Sequence, residues 1–378
     1  MDADLTHEDA ESVGQTLRSF LKKEVEPKVE RPEEPLQSAA LSALTHEACE
    51  LGLVNLEAEE GYGLWEMAEL PNARQTTLNN LKQLAQVSAG IALHFHQLAL
   101  GAWLARRLGV CDGKATSFDL LGTYGMGRDL LPRLLRGGTL DADDRTWLAG
   151  YFEPSGSCPR LLQLGSPVHA VLMARYDASD DTLAFEQHGI DALGGERLQT
   201  SHGLDETETL VLRSLPSAGA RLCTDADPRG IATYSRMLEM HSLGVCAISV
   251  GAQHQSRARA AEYAELRVQG GTEIIHHAAV QRLLGRTSAA AASGDALLDG
   301  LGGGALSKGS LVRSLAARAG LLVEGCAAAN DALQVFGGSG YIRDNGLEKL
   351  VRDQNHLRVF WGTPGDLMGF VTELEREA

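Results

Sequence analysis

The sequence has little that would draw it to nucleic acid or into a membrane. Fifty Asp and Glu stand against 34 Lys and Arg, a formal net charge of −16. No sustained basic run occurs, so the electrostatic footprint of a nucleic-acid binder is missing. No stretch reaches about 18 uninterrupted apolar residues, and the sequence therefore predicts no transmembrane helix. The first residues, MDADLTHEDAE, are acidic and polar, unlike a signal peptide. Cysteine is sparse and scattered: Cys49, Cys111, Cys158, Cys223, Cys246 and Cys326 form no C-x-x-C pair. Such spacing gives neither a disulfide framework nor a zinc knuckle, and reads as reduced thiols in a cytoplasmic protein. The histidines offer no metal pattern. His94 and His96 lie two apart on an expected helix and face different ways, His276 and His277 are adjacent, and His241 and His254 are too distant for a local pair. No metal site is expected. His46 lies one turn before Cys49, but no third group is evident to orient it for nucleophilic chemistry.

What is present is an ordinary globular composition, 44% hydrophobic and 5% aromatic, in a chain of 378 residues. That length suits two or three packed units. Leu17, Phe20, Leu21 and Val25 recur at helical spacing, with Pro27 expected to stop the run. Another helix is expected over Leu41–Leu51, ending at Gly52. A turn-rich stretch with Gly61 and Gly63 follows, then a long helix over Leu78–Leu108 with one break. From about 148 to 225 the runs LAGYFEP, AVLMAR, TLAFEQ, TLVLRS and RLCT are short, apolar and separated by turn residues. They read as strands of a small antiparallel domain. Tyr234–Arg267 returns to helical character, with Leu238, Leu243, Val245, Ile248, Ala252 and Ala260 available for packing. Gly285–Ser310 is rich in Gly, Ala and Ser and reads as a loosened loop.

The most informative stretch is Gln334–Leu367, QVFGGSGYIRDNGLEKLVRDQNHLRVFWGTPGDL. A helix ends at Val335–Phe336, and Gly337, Gly338 and Gly340 form a turn. A second helix over Leu347–Val359 leads to another tight turn at Gly362–Thr363–Pro364. Paired glycines allow close backbone approach and present amide N–H groups to a phosphate or a flavin-type carbonyl. A plain helix C-cap followed by a turn is the alternative for the first pair. With Tyr341, Arg352 and Asp353 in register, the stretch resembles the C-terminal signature of the acyl-CoA dehydrogenase family. EYAELRVQGGTEI at Glu262–Ile274, with Val280 and Gln281 beyond it, and GTYGMGRDLLPRLLRGG at Gly122–Gly138 resemble further family segments. Glu153, Pro154, Gly156 and Ser157 resemble the loop that lies against the flavin.

The resemblance implies an α+β, mostly α fold: an N-terminal helical domain at 1–147, a middle β-domain at 148–228 and a C-terminal four-helix bundle at 229–378. It implies FAD, an acyl-CoA-type substrate and α,β-dehydrogenation within a dimer or tetramer, homo- or hetero-oligomeric, whose FAD site is shared between subunits. Carried over residue by residue, it gives Arg267, Gln334, Gly337, Gly338, Thr363 and Ser157 as cofactor-binding positions, with Arg267 at the pyrophosphate of a neighbouring subunit's FAD.

The departures are equally specific. The residue before Gly362–Thr363 is usually the catalytic Glu, and here it is Trp361, whose indole cannot act as a base. The alternative base position of some family members falls near Tyr234, with Arg236 beside it. Glu239, one turn further on, is the remaining candidate for a displaced base, against its reading as an exposed helical acid. Asp366 reads as an N-cap or first-turn acid. Phe152 stands where a Thr usually bonds the flavin ring, Cys158 replaces an Asp, and the loop that normally covers the ring is absent. Three functions stay open: a non-catalytic partner completing the FAD site of a homologous catalytic subunit; a stand-alone flavoenzyme with altered chemistry on a CoA- or carrier-bound acyl group; and a flavin-free scaffold.

Overall fold

A computed structural model describes the whole chain except residues 1–6, 35, 58–62, 66–70, 122–124, 199–202, 217–218, 304–307 and 377–378. Gly61 and Gly122, both singled out in the sequence, lie outside the described residues. The chain opens with α1 (His7–Phe20), a π-helical turn at Leu21–Val25 and α2 (Glu26–Val29). Pro27 does not stop the run. It sits in the first turn of α2, where a missing N–H leaves no helical bond unmade, and the helix continues to Val29. α3 (Ser38–Glu50) follows. α4 (Pro71–Val87) and α5 (Ala89–Arg107) form the expected long helix with its one break. The break is Ser88, whose Oγ accepts from the Ile91 N–H as the N-cap of α5.

β1 (Thr116–Asp119) and α6 (Leu130–Leu135) lead to α7 (Ala142–Phe152). LAGYFEP is therefore mostly helix and not the expected strand. Asp141 and Asp144 form a capping box that fixes the helix start, and Leu148, Tyr151 and Phe152 then fall on its buried side. β2 (Arg160–Leu164), β3 (Ala170–Asp177), β4 (Thr182–Gly189), β5 (Glu196–Leu198) and β6 (Glu208–Leu212) build two three-stranded sheets, ordered β1-β3-β4 and β2-β6-β5. The first is mixed and not purely antiparallel: β1 joins β3 in parallel, with Thr116 opposite Ala170. RLCT forms no strand and contributes two isolated bridges, Leu222 to Phe185 and Thr224 to Asp227.

α8 (Ile231–Leu266) begins the C-terminal bundle. A short hairpin, β7 (Val268–Gln269) and β8 (Thr272–Glu273), connects it to α9 (Ala278–Gly302), and α10 (Lys308–Phe336), α11 (Leu347–Val359) and α12 (Pro364–Glu375) complete it. Gly285–Ser310 is thus helical as far as Gly302, where a loop was expected. The run Ala289–Ala292 carries the best helix former, enough to offset glycines that each cost about 1 kcal/mol.

Two helices form the centre of the fold. Every residue of α5 from Ala89 to Ala105 is buried, and so is every residue of α8 from Met237 to Gln253. A helix enclosed on all sides carries its polar residues inside as well. This is how His94, His96, Glu239 and His241 come to lie in the interior.

Candidate functional site

The site is built where α11 ends. The Phe360 N–H still closes α11 on His356, and the next two residues turn sharply, Trp361 at φ +54 and Gly362 at φ +103. A left-handed backbone is uncommon for a residue as bulky as Trp. The turn is held from both sides. The Phe360 carbonyl accepts from the Arg318 Nη2 of α10, and Thr363 caps α12 in a reciprocal box with Asp366. Asp366 is therefore a first-turn capping acid. It takes both the Thr363 N–H (2.9 Å) and the Thr363 hydroxyl (2.7 Å), so the polar atoms of Thr363 are engaged within the chain.

The Trp361 ring packs inward, against His241 (centroids 4.0 Å), Phe118 (5.2 Å) and Phe360 (5.4 Å). Behind it runs a buried relay. The Trp65 indole N–H donates to His96 Nδ1 at 2.9 Å, and His96 Nε2 lies 3.1 Å from His241 Nδ1. An indole nitrogen can only donate, so His96 must carry its proton on Nε2. That proton goes to His241 Nδ1, which places the His241 proton on Nε2. Among the described residues His241 Nε2 has no acceptor. Burial pushes His96 down to about 3 and His241 well below the ordinary histidine range, so both rings are neutral donors.

Close approach makes this relay possible. Gly244, one turn after His241, faces the His96 ring so tightly that an added Cβ would overlap it. Gly244→Ala is expected to cost about 1–3 kcal/mol through overpacking, read as a lower denaturation midpoint at unchanged m-value. Equal or greater stability would mean that the ring is not held there.

Neither candidate base meets Trp361. The Tyr234 hydroxyl donates to the Leu120 carbonyl at 2.7 Å. Glu239 is not the exposed acid expected of it. It is 2% exposed, on another face of α8 from His241, and burial raises its pKa against the pull of Ser310, Arg74, Arg236 and Arg313. The side chain of α8 that faces Trp361 is His241. Sequence reasoning passed over it because its partners are far away in the chain, although a glycine in mid-helix one turn later is a visible mark of close packing.

The flavin-facing loop also differs from a ring-binding loop. Phe152 is buried as the last residue of α7, with its carbonyl bonded by Arg160. Glu153 pairs with Arg175. Ser157 is exposed in a small turn, its hydroxyl 3.3 Å from that of Ser155.

The residues expected at a phosphate lie at the other end of the bundle. Arg267 caps α8, and Gln334 lies in the last turn of α10, both exposed. Tyr263 stacks on Phe336 at 3.9 Å and joins these two helix ends. Gly337 (φ +58) and Gly338 follow, with open space where a Cβ would stand. Among the described residues the Arg267 guanidinium has no ion-pair partner. A free fork of donors beside uncovered backbone fits a pyrophosphate. The ring end, filled by Trp361 and Phe152, does not fit a flavin ring.

Residues 228–371 match the family described as acyl-CoA dehydrogenase, C-terminal domain. The chain is 30% identical over 151 residues to cyclohex-1-ene-1-carbonyl-CoA dehydrogenase of Geobacter metallireducens, a match covering 36% of this chain and 37% of that protein. The matched stretch thus spans little more than a third of that relative's length. Over its whole length the chain superposes on butyryl-CoA dehydrogenase from Megasphaera elsdenii, with TM-score 0.70, 17% identity and 100% coverage of both chains. A glutaryl-CoA dehydrogenase from Mycobacterium smegmatis in complex with FADH2 gives TM-score 0.69 at 15% identity, over 98% of this chain and 95% of that one. At such identities the likeness is one of fold, and the fold is that of the acyl-CoA dehydrogenases: helical, β, then helical bundle.

Proposed function

We propose that this chain, which belongs to the acyl-CoA dehydrogenase family, is the non-catalytic partner in a heteromeric acyl-CoA dehydrogenase, lending its pyrophosphate-binding end to the FAD of a homologous subunit that carries the catalytic Glu. One observation carries the reading. Arg267 closes α8, whereas His241, packed on Trp361, lies about 26 residues earlier on the same helix, roughly 39 Å away at 1.5 Å per residue. A single dinucleotide does not bridge that distance, so the two ends serve different cofactor sites. The end that fits a pyrophosphate is open, and the end that would hold a flavin ring is filled with the chain's own side chains.

The surface around the open end supports a partner. Leu266 and Val268 flank Arg267 and are 75% and 57% exposed, and Tyr341 and Ile342 follow the glycine turn at 70% and 54%. Uncovered apolar side chains around an unpaired cation suit a chain-to-chain contact. FAD, when bound there, supplies the redox chemistry. This chain's share is to hold the pyrophosphate through Arg267, Gln334 and the amides near Gly337–Gly338. The acyl-CoA-type substrate and the base belong to the partner.

The test is flavin absorbance on the purified chain, and then on the chain co-expressed with Glu-bearing homologues from the same genome. Flavin is expected only in the mixed complex. Arg267→Glu in this chain should weaken its FAD affinity by at least roughly 10-fold, the worth of a charge-assisted hydrogen bond. Stoichiometric flavin on the chain alone would turn the assignment to a self-sufficient flavoenzyme acting on a CoA- or carrier-bound acyl group. No flavin in either preparation would leave a flavin-free scaffold.

A further inference from the structure

Arg318 is fully buried in α10. Its Nη2 donates to the Phe360 carbonyl, while Nε and Nη1 have no acceptor among the described residues. Among the described residues no carboxylate pairs with it. Among the described residues the ionisable group that favours its charge is Cys246, a thiol that burial raises to about 12 and so keeps neutral. Burial lowers Arg318 to about 10, so it stays cationic at neutral pH. An isolated charge in a dry interior is among the costliest features a fold can carry, and other buried guanidinium groups of this chain show the usual remedy. Arg160, equally buried, pairs with Asp119 and donates to three carbonyls. Arg318 has only one carbonyl.

A second unsatisfied donor lies in the same region. His241 Nε2–H, its position fixed by the relay from Trp65, also lacks an acceptor, and both groups sit under one turn: Phe360 is bonded to Arg318, and Trp361 covers His241. The Arg318 charge also disfavours protonation of His96 and His241, as expected of near neighbours. We infer that Arg318, with His241 beside it, forms a buried binding site for a single monoanion beneath the Phe360–Trp361 turn. A halide or a carboxylate has the matching chemistry: one negative charge, no need of a proton, and acceptor capacity for several N–H groups. The site owes nothing to the flavin reading, since it uses the other end of the bundle.

Two probes separate the sources of that charge, bromide for an inorganic ion and butyrate for the carboxylate end of an organic ligand. The thermal midpoint of the whole chain is followed against each sodium salt, with ionic strength held constant by sodium isethionate. A saturable rise is expected with at least one probe in the unaltered protein, and none in Arg318→Met, which keeps the volume and loses the charge. A response to bromide marks an inorganic-anion site, and a response to butyrate alone marks a carboxylate site. Parallel curves for the two proteins, or a flat response to both probes, would overturn the inference. Should Arg318→Met fail to fold, bromide and butyrate soaks of unaltered crystals decide. An anomalous bromine peak or carboxylate density at the Arg318 guanidinium supports the site, and neither there refutes it.

Discussion

Lys349→Met is expected to lower the unfolding free energy by about 3–5 kcal/mol, the usual result of stripping one partner from a buried ion cluster. Lys349 Nζ lies 2.7 Å from Asp353 and 3.2 Å from Glu206, whose side chains are 1% and 4% exposed. Asp353 also accepts the Leu204 N–H at 2.6 Å, and Glu206 accepts from Ser88 at 2.8 Å. The cluster therefore ties α11 to the 203–207 segment and to the α4–α5 junction. Burial opposes the Lys349 charge, but Asp353 and Glu206 outweigh it and raise its pKa. Asp353 is itself raised by burial, against the pull of Lys349. Removing the ammonium leaves two carboxylates desolvated together, and the folded pKa of Asp353 must rise further above its unfolded value. Groups of that kind stabilise the fold at low pH and lose the contribution as pH rises. The deficit of Lys349→Met relative to the unaltered protein should therefore be larger at pH 8 than at pH 5. Denaturant midpoints at the two values check it. A deficit below about 1 kcal/mol, or one that does not change with pH, would show the cluster to be hydrated. Adding Glu206→Gln and Asp353→Asn to Lys349→Met should recover much of the loss.

The order of domains was legible because it rests on periodicity and local motif. AVLMAR, TLAFEQ and TLVLRS are short apolar runs bounded by turn residues, and they are strands. The glycine turns around Gln334–Thr363 bound helices as their spacing implies. LAGYFEP was misread because a short apolar run has no period that separates strand from helix, and the deciding signal, the Asp141–Asp144 capping box, lies upstream of it. Gly285–Gly302 was misread from composition, since its alanines count for more in a helix than its glycines count against one. The interior of the candidate site was the least legible part. That a Trp stands at the position where the family usually has its Glu was visible at Trp361 itself. What replaced it was not, because Trp65, His96, His241 and Arg318 come from four separate segments and meet only through packing. Glu239 failed as an exposed acid for the same reason: nothing local says that α8 is enclosed on every side.

Mild acid should unfold this chain early, with three interior imidazoles setting the slope. His94 and His96 are each held near 3 by burial, and His241 is held well below its ordinary value. His94 belongs to the set on geometry too. Thr45 gives its hydroxyl proton to the Leu41 carbonyl at 2.8 Å, so it accepts from His94 Nε2 at 2.9 Å, and His94 Nδ1 is left buried without a donor. The folded pKa of each ring lies below the unfolded value of about 6.5, so below that pH the unfolded chain binds protons that the folded chain refuses. Stability is full above about 6.5 and falls as pH drops, by up to about 1.4 kcal/mol per pH unit for each ring. Three rings acting together approach roughly 4 kcal/mol per unit, which exhausts a typical folding free energy of about 5–15 kcal/mol within a few units. Paired carboxylates such as Asp181, held at about 2, add their own loss only at lower pH. In the window from about pH 6 to 4.5 the imidazoles therefore act without these paired carboxylates. His94→Gln should flatten the dependence of unfolding free energy on pH there by about 1.4 kcal/mol per unit, even if it lowers stability at pH 7. An unchanged slope would mean that His94 is protonated in the folded protein, which requires an acceptor at Nδ1 that the packing of α5 against Gly165 does not leave room for.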